Sequence, residues 1–304
     1  MKIVVIGAGA LGAYFGGRWQ EAGHEVTFLV RERRAKQIEE NGIKIHSPHG
    51  DYKMDNPAII RQADEAGDAD LVFLSVKGYH LPGTIEDLKT LTAKGAKVLP
   101  VLNGVEHIPT LQKELGEETV IGGLSFIIAT LDEQGHVVHS ARVHDLVFGA
   151  LHQSQQELVD ELGLACEQAN FDGRLSTDIL KELWKKYMFI TAFSGITTAV
   201  NLPIGDVRKH PETYHIARKI LEEMKHLANS HGLELTDKHI DKAFESIDNL
   251  DDEATSSMHQ DRRKGLTLEV EHLHGGALRL GEAVDLKLPY IETIYGIIKP
   301  FENA

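Results

Sequence analysis

The sequence has a single cysteine, Cys166, in 304 residues. No intrachain disulfide can form, which fits a reducing compartment. No stretch approaches the roughly 20 consecutive apolar residues of a membrane span. Basic charge is also scarce. The formal net charge is -14, and no basic stretch gathers more than the three cations of Arg31-Glu32-Arg33-Arg34 or Arg262-Arg263-Lys264. Nucleic-acid binding needs a basic face, so that function class is excluded. Internal repeats and low-complexity segments are lacking too. The apolar start, Met1 to Gly12, has only Lys2 as a basic flank and is interrupted by glycines. It reads as a first strand, not as a targeting peptide. The expectation is a cytoplasmic protein with no membrane partner.

What is present is ordinary globular material, with 42% hydrophobic and 26% charged residues. That length suits two domains. The first half alternates β-branched apolar runs with helical patterns. Ile3–Ile6, Glu25–Val30, Leu71–Val76 and Lys97–Leu102 read as strands, Ala10–Ala22 as a helix, and Val120–Ile128 as a further apolar run. This rhythm predicts a doubly wound parallel sheet. Gly42–Ile60 turns at Pro48-His49-Gly50 and reads as an inserted hairpin. Gly135–Ser140 and Leu146–Leu151 read as two late antiparallel strands. From Asp178 on, apolar residues recur at helical spacing, punctuated by Pro203, Pro211, Gly232 and Pro289. The fold class expected is α/β, with a Rossmann-type domain over 1–174 and an all-helical domain over 175–304.

The first strand runs into Gly7, Gly9 and Gly12, in G-x-G-x-x-G spacing. Such a turn lets the backbone approach a diphosphate at the helix N-terminus, where free N–H groups and the helix dipole favour anions. The strand before and helix after it make the dinucleotide reading specific. The second strand ends at Val30-Arg31, where NAD-binding units usually carry an acidic residue for the ribose 2′-hydroxyl. Arg31, with Arg33 and Arg34 behind it, instead matches a 2′-phosphate, so the cofactor expected is NADP or NADPH. Glu32 would weaken that preference if its side chain took the place of Arg31. Lys77 and Asn103 follow two further strands, at the ends where open α/β sheets bind ligands.

In the second half, Leu183-Trp184-Lys185-Lys186-Tyr187 is expected to open a helix on which Lys186, Ile190 and Ser194, spaced by four, share one face. A lysine heading an apolar face is a candidate general acid, because partial burial lowers its pKa toward neutrality. By itself, such a lysine also reads as a solvated helix start.

Taken together, the motifs resemble the ketopantoate reductase (2-dehydropantoate 2-reductase) family over nearly the whole chain. The resemblance rests on GAGALG at the start, Arg31, SVK ending at Lys77, LNG around Asn103, LWKK ending at Lys186, and SSMHQD followed by Glu269. It implies a cytoplasmic oxidoreductase that uses NADPH to reduce a small 2-keto acid to a 2-hydroxy acid. The reaction implied is 2-dehydropantoate to pantoate, in pantothenate biosynthesis, or a related one, with no metal. By that resemblance Gly7, Ala8, Gly9, Ala10, Leu11, Gly12 and Arg31 would bind the cofactor. Lys77 and Asn103 would line it, Asn103 also lying near substrate. Ile128 would make a further backbone contact to it, and Glu269 would reach it from the helical domain. Lys186 would be the proton donor, and Ser257 would hold the substrate carboxylate. The oligomeric state is left open, a homodimer among the options.

Three departures stand out. Ile190, Ser194 and Ile204 occupy positions where well-characterised family members carry asparagines, the first two of which bond the substrate. The scaffold and the lysine survive; the polar clamp does not. A different 2-keto acid is one consequence, and an NADPH-binding sensor without turnover is another. Hydroxyacyl- and glycerol-phosphate-type dehydrogenases remain rivals, since 17 histidines offer many candidate acids.

Overall fold

The first strand is buried at four of its five positions, as a strand covered on both faces must be. In this computed structural model, which describes residues 1–54 and 56–303, five strands form a parallel sheet. They are β1 (Lys2–Ile6), β2 (Glu25–Leu29), β5 (Ala58–Ile60), β6 (Leu71–Leu74) and β7 (Lys97–Pro100), in the order β5-β2-β1-β6-β7. Helices α1 (Ala10–Glu21), α2 (Glu32–Asn41) and α3 (Ile85–Thr92) lie between these strands in the chain, and α4 (His107–Leu115) follows β7. The strand order reverses beside β1, so the turn leaving β1 lies at a switch point, where ligands bind in such sheets.

A second sheet holds β3 (Ile43–His46), β4 (Tyr52–Met54), β8 (Gly122–Leu131), β9 (Val137–Gly149) and β10 (Asp172–Leu175), with α5 (Gln156–Glu167) before the last. The expected hairpin is β3–β4, antiparallel from Ile43↔Met54 to Ile45↔Tyr52. Its predicted end is corrected: Ala58–Ile60 leaves the hairpin and joins the parallel sheet beside β2. The two late strands are also corrected, because they are one strand, β9. It pairs with β8 from Gly122↔Gly149 to Leu131↔Val137. A register shift between Ile127 and Ala129 absorbs the irregular middle of β9, and that bulge interrupts the alternation that a sequence reading relies on.

Chain contacts divide the molecule into two compact units, Met1–Leu102 with Glu106–Leu180, and Asn103–Val105 with Lys181–Ala304. The division falls six residues beyond the expected boundary, and Asn103 sits with the helical unit. The first unit's core is aromatic around α1. Trp19 meets Phe73 and Phe171 edge-on at 5.1 and 5.4 Å, and Phe15 meets Phe171 at 5.0 Å, the geometry aromatic quadrupoles favour.

The second unit is built on α6 (Ile179–Val200), with α7 (Ile204–Arg208), α8 (Pro211–Ser230), α9 (Asp237–Asp248), α10 (Ser257–Arg263), a π-turn over Glu271–Gly275, α11 (Gly276–Glu282) and α12 (Pro289–Ile298). Residues Thr191 to Thr198 of α6 are all buried, as in a helix packed on every side. The sequence's punctuation falls at helix ends: Pro203 caps α7, Pro211 and Pro289 open α8 and α12, and Gly232 turns with φ +83° after α8. Glu223 of α8 accepts from the backbone N–H groups of Tyr290 and Ile291, both at 2.9 Å. It thereby satisfies donors that the first turn of α12 leaves open. Among the described residues, no helix is long and apolar enough to cross a membrane.

Candidate active site

Gly7 takes φ +97°, and a Cβ there would lie 2.8 Å from the Ser75 carbonyl oxygen. A Cβ at Gly12 would lie 2.1 Å from the Gly7 oxygen. These two positions require glycine, one for the turn and one for helix-to-strand approach. Around Gly9 a Cβ would meet nothing within 4 Å, so the side of the turn that a diphosphate would approach is open. Helix α1 has no side-chain cap and no acidic residue in its first turn. Its N-terminal donors and dipole are therefore answered neither by a capping side chain nor by an acid of its own first turn. Ala8 is buried, and Ala10 and Leu11 begin the helix. The residues present fit a dinucleotide. A support that the sequence reading missed is Ser75, whose Oγ donates to the Gly7 carbonyl at 2.8 Å. The signal was available as the serine of SVK.

Arg31 is exposed and is the N-cap residue of α2, with ψ 158°. Glu32 is committed elsewhere: its carboxylate accepts from Arg61 Nε at 2.9 Å and lies 3.3 Å from Lys36 Nζ. The Arg61 hydrogen bond, followed by that to Lys36, holds the Glu32 carboxyl below its usual range. Lys77, half-buried, precedes a 3₁₀ segment over Gly78–Thr84. Ile128 sits at the β8 bulge, where the register skips it, and is 57% exposed.

The second unit gathers the remaining candidates. Helix α6 begins at Ile179, so Lys186 lies two turns in. This corrects the expectation that the lysine opens the helix: Asp178 N–H bonds Ser176 Oγ at 3.2 Å, and the helix starts directly after that turn. Lys186 is only 8% exposed. Burial brings its pKa down to about 8, and the charge of Glu269, itself buried, opposes the fall. The sequence reading did not anticipate that coupling, because the two residues are far apart along the chain. On the lysine's face, Ile190 is half-buried and Ser194 buried. Thr191 is fully buried, with no hydrogen-bond partner for its hydroxyl. The Asn103 backbone oxygen accepts from His272 Nε2 at 2.6 Å. Ser257 is exposed, at the first position of α10, whereas Ser256 is the buried cap accepting from His259 N–H at 3.1 Å. Ile204 is fully buried, its N–H bonded to the Ala254 oxygen at 3.0 Å. Among the described residues, no group of three or more His, Cys, Asp or Glu side chains is arranged so that it could hold a metal ion.

The family model for ketopantoate reductase PanE/ApbA matches residues 3–153, and that for the ketopantoate reductase C-terminal part matches residues 178–302. An uncharacterized oxidoreductase, YkpB of Bacillus subtilis (strain 168), is 34% identical over 302 residues, 99% of each chain. The crystal structure of a 2-dehydropantoate 2-reductase from Geobacter metallireducens GS-15 superposes with a TM-score of 0.91 at 28% identity, covering 99% of both chains. A ternary structure of D-mandelate dehydrogenase with NADH and anilino(oxo)acetate shares the fold, with a TM-score of 0.90 at 22% identity over 100% of this chain and 99% of that one.

Proposed function

Because the chain belongs to the ketopantoate reductase family of oxidoreductases, we propose that it reduces a small 2-keto acid to the 2-hydroxy acid with NADPH, Lys186 donating the proton. When bound, a reduced nicotinamide supplies a hydride. Gly7 to Gly12 would hold the diphosphate, with Arg31 on the 2′-phosphate and Lys77 and Asn103 along the rest of the dinucleotide. The engagement of Glu32 with Arg61 and Lys36 supports NADPH, since it directs the carboxylate next to Arg31 toward other cations.

One observation carries the chemistry: Lys186 is buried, with a pKa of about 8 beside Glu269. An ammonium with that pKa is mostly protonated at neutral pH yet gives up its proton readily, the condition for an efficient general acid. Its Nζ proton goes to the substrate carbonyl oxygen as that oxygen gains negative charge, completing the hydroxyl. The exposed Ser257 hydroxyl would hold the substrate carboxylate. Ile190 offers no hydrogen bond, and Ser194 is shorter than asparagine, so the residues flanking the lysine favour a keto acid with an apolar far end.

A second reading, a dinucleotide-binding sensor, is favoured by the replaced asparagines at Ile190, Ser194 and Ile204. Steady-state NADPH oxidation with a panel of 2-keto acids separates the two. Oxidation matched by hydroxy-acid formation supports the reductase. NADPH binding without oxidation by any member of the panel supports the sensor.

A further inference from the structure

Arg34 does not stand beside Arg31 as a spare cation. Its Nε donates to the Ala8 carbonyl of the glycine turn at 2.8 Å, and its Nη1 donates to Gln37 Oε1 at 2.6 Å. Gln37 in turn donates to the Glu133 carbonyl at 3.4 Å, and Asn41 to that of Gln134 at 3.2 Å. The turn joining β8 to β9 is thus laid over this face of α2. Gly135, with φ +84°, permits the contact: a Cβ there would lie 2.3 Å from Arg34 Nη1 and 2.4 Å from Gln37 Cδ. The guanidinium's Nη2 is buried without a hydrogen-bond partner. Arg34 is therefore a partly desolvated cation clamped between the glycine turn and the β8–β9 turn.

The peptide joining Ala8 to Gly9 is planar and trans, so its carbonyl and N–H point in opposite directions. Tying the Ala8 oxygen to Arg34 fixes the Gly9 N–H on the other side of that plane. A charged donor on the carbonyl also polarises the peptide and makes its N–H a stronger donor. We propose that Arg34 is a positioning residue for the dinucleotide turn: through the Ala8 carbonyl it aims the Gly9 N–H at the diphosphate, with the β8–β9 turn holding it in place. The proposal rests on the reading of this turn as the dinucleotide site. Because the diphosphate is common to NADH and NADPH, the effect is the same for both, unlike that of Arg31.

Dissociation constants for NADPH and NADH, measured on wild type, Arg34→Gln, Arg34→Lys and Gly135→Ala, test it. Arg34→Gln is expected to weaken both cofactors by a similar factor, roughly tenfold, as the charge-assisted bond is lost. The loss appears in the KM for the cofactor rather than in kcat. Arg34→Lys, which keeps a charged donor, recovers part of it. Gly135→Ala, which displaces Nη1, moves affinity in the same direction as Arg34→Gln. Loss confined to NADPH overturns the proposal, since Arg34 would then meet the 2′-phosphate itself. Unchanged affinities with a lowered melting temperature also overturn it, leaving a purely structural contact. Failure of wild type to bind either cofactor overturns the underlying site reading, and the proposal with it.

Discussion

At the scale of single residues, the proposed chemistry turns on Arg31 and on the pair Lys186 and Glu269. Arg31 should make NADPH bind more tightly than NADH. Replacing it by alanine removes a charge-assisted bond, a loss of about 1.5–3 kcal/mol or roughly ten- to a hundredfold in affinity. Titrating both cofactors against Arg31→Ala checks this, and equal affinities in wild type would refute it. Lys186 must be protonated to act as an acid, so kcat for reduction is expected to fall as pH rises through about 8. The sign of the Glu269 effect follows from its charge. It favours the ammonium, so Glu269→Gln should move that alkaline limb to lower pH. A pH profile of kcat at saturating NADPH measures the shift; a limb that stays put would separate Glu269 from the lysine. The Lys186 candidacy was legible from its place in a motif and on an apolar face. Its coupling to Glu269 was not, because only tertiary packing brings the two together. Ser257 shows the converse: the resemblance singled it out, and capping geometry shows how it differs from its neighbour, the buried cap Ser256 beside the exposed Ser257.

At the scale of elements, the helix face of α6 sets the expected substrate preference. A polar substrate group facing Ile190 would be desolvated without a partner, at about 1–3 kcal/mol. Apolar bulk there gains roughly 25 cal/mol per Å² buried. A branched aliphatic 2-keto acid such as 2-ketoisovalerate should therefore match or surpass ketopantoate in kcat/KM. A hundredfold preference for ketopantoate would contradict this, since a missing hydroxyl is strongly rejected only by a site built to bond it. Four strands of the parallel sheet were legible because their apolar runs are short, β-branched and bounded by turns; the fifth, Ala58–Ile60, was read as part of the hairpin that precedes it. Strand β9 was read as two separate strands, because the register shift against β8 interrupts its alternation. The start of α6 was misplaced because Ile179 to Glu182 extend the helix ahead of the motif that drew attention.

At the scale of the whole molecule, the parallel sheet and the helical unit were readable from the change of periodicity near Asp178. The second sheet was not, because its strands are scattered from Ile43 to Leu175 and meet only through long-range pairing. Both units bury neutral histidines. His144, stacked 3.7 Å from His49, and His274, bonded to the Thr191 carbonyl, are both brought down by burial from 6.5 to about 4. The unfolded chain binds these protons first as pH falls, so the stability they permit is whole above pH 6.5 and is lost toward pH 4. Melting temperatures across that window should drop, and His144→Gln with His274→Gln should flatten the slope. An unchanged slope in the double variant would remove these groups from the explanation. In the proposed reaction, one buried lysine gives up its proton during hydride transfer to a keto acid. The most direct measurement is kcat for Lys186→Ala beside wild type, at saturating NADPH and with the best keto acid of the panel. The predicted result is a fall of roughly 10² to 10⁴ with NADPH affinity almost intact. Near-normal turnover in Lys186→Ala would contradict it.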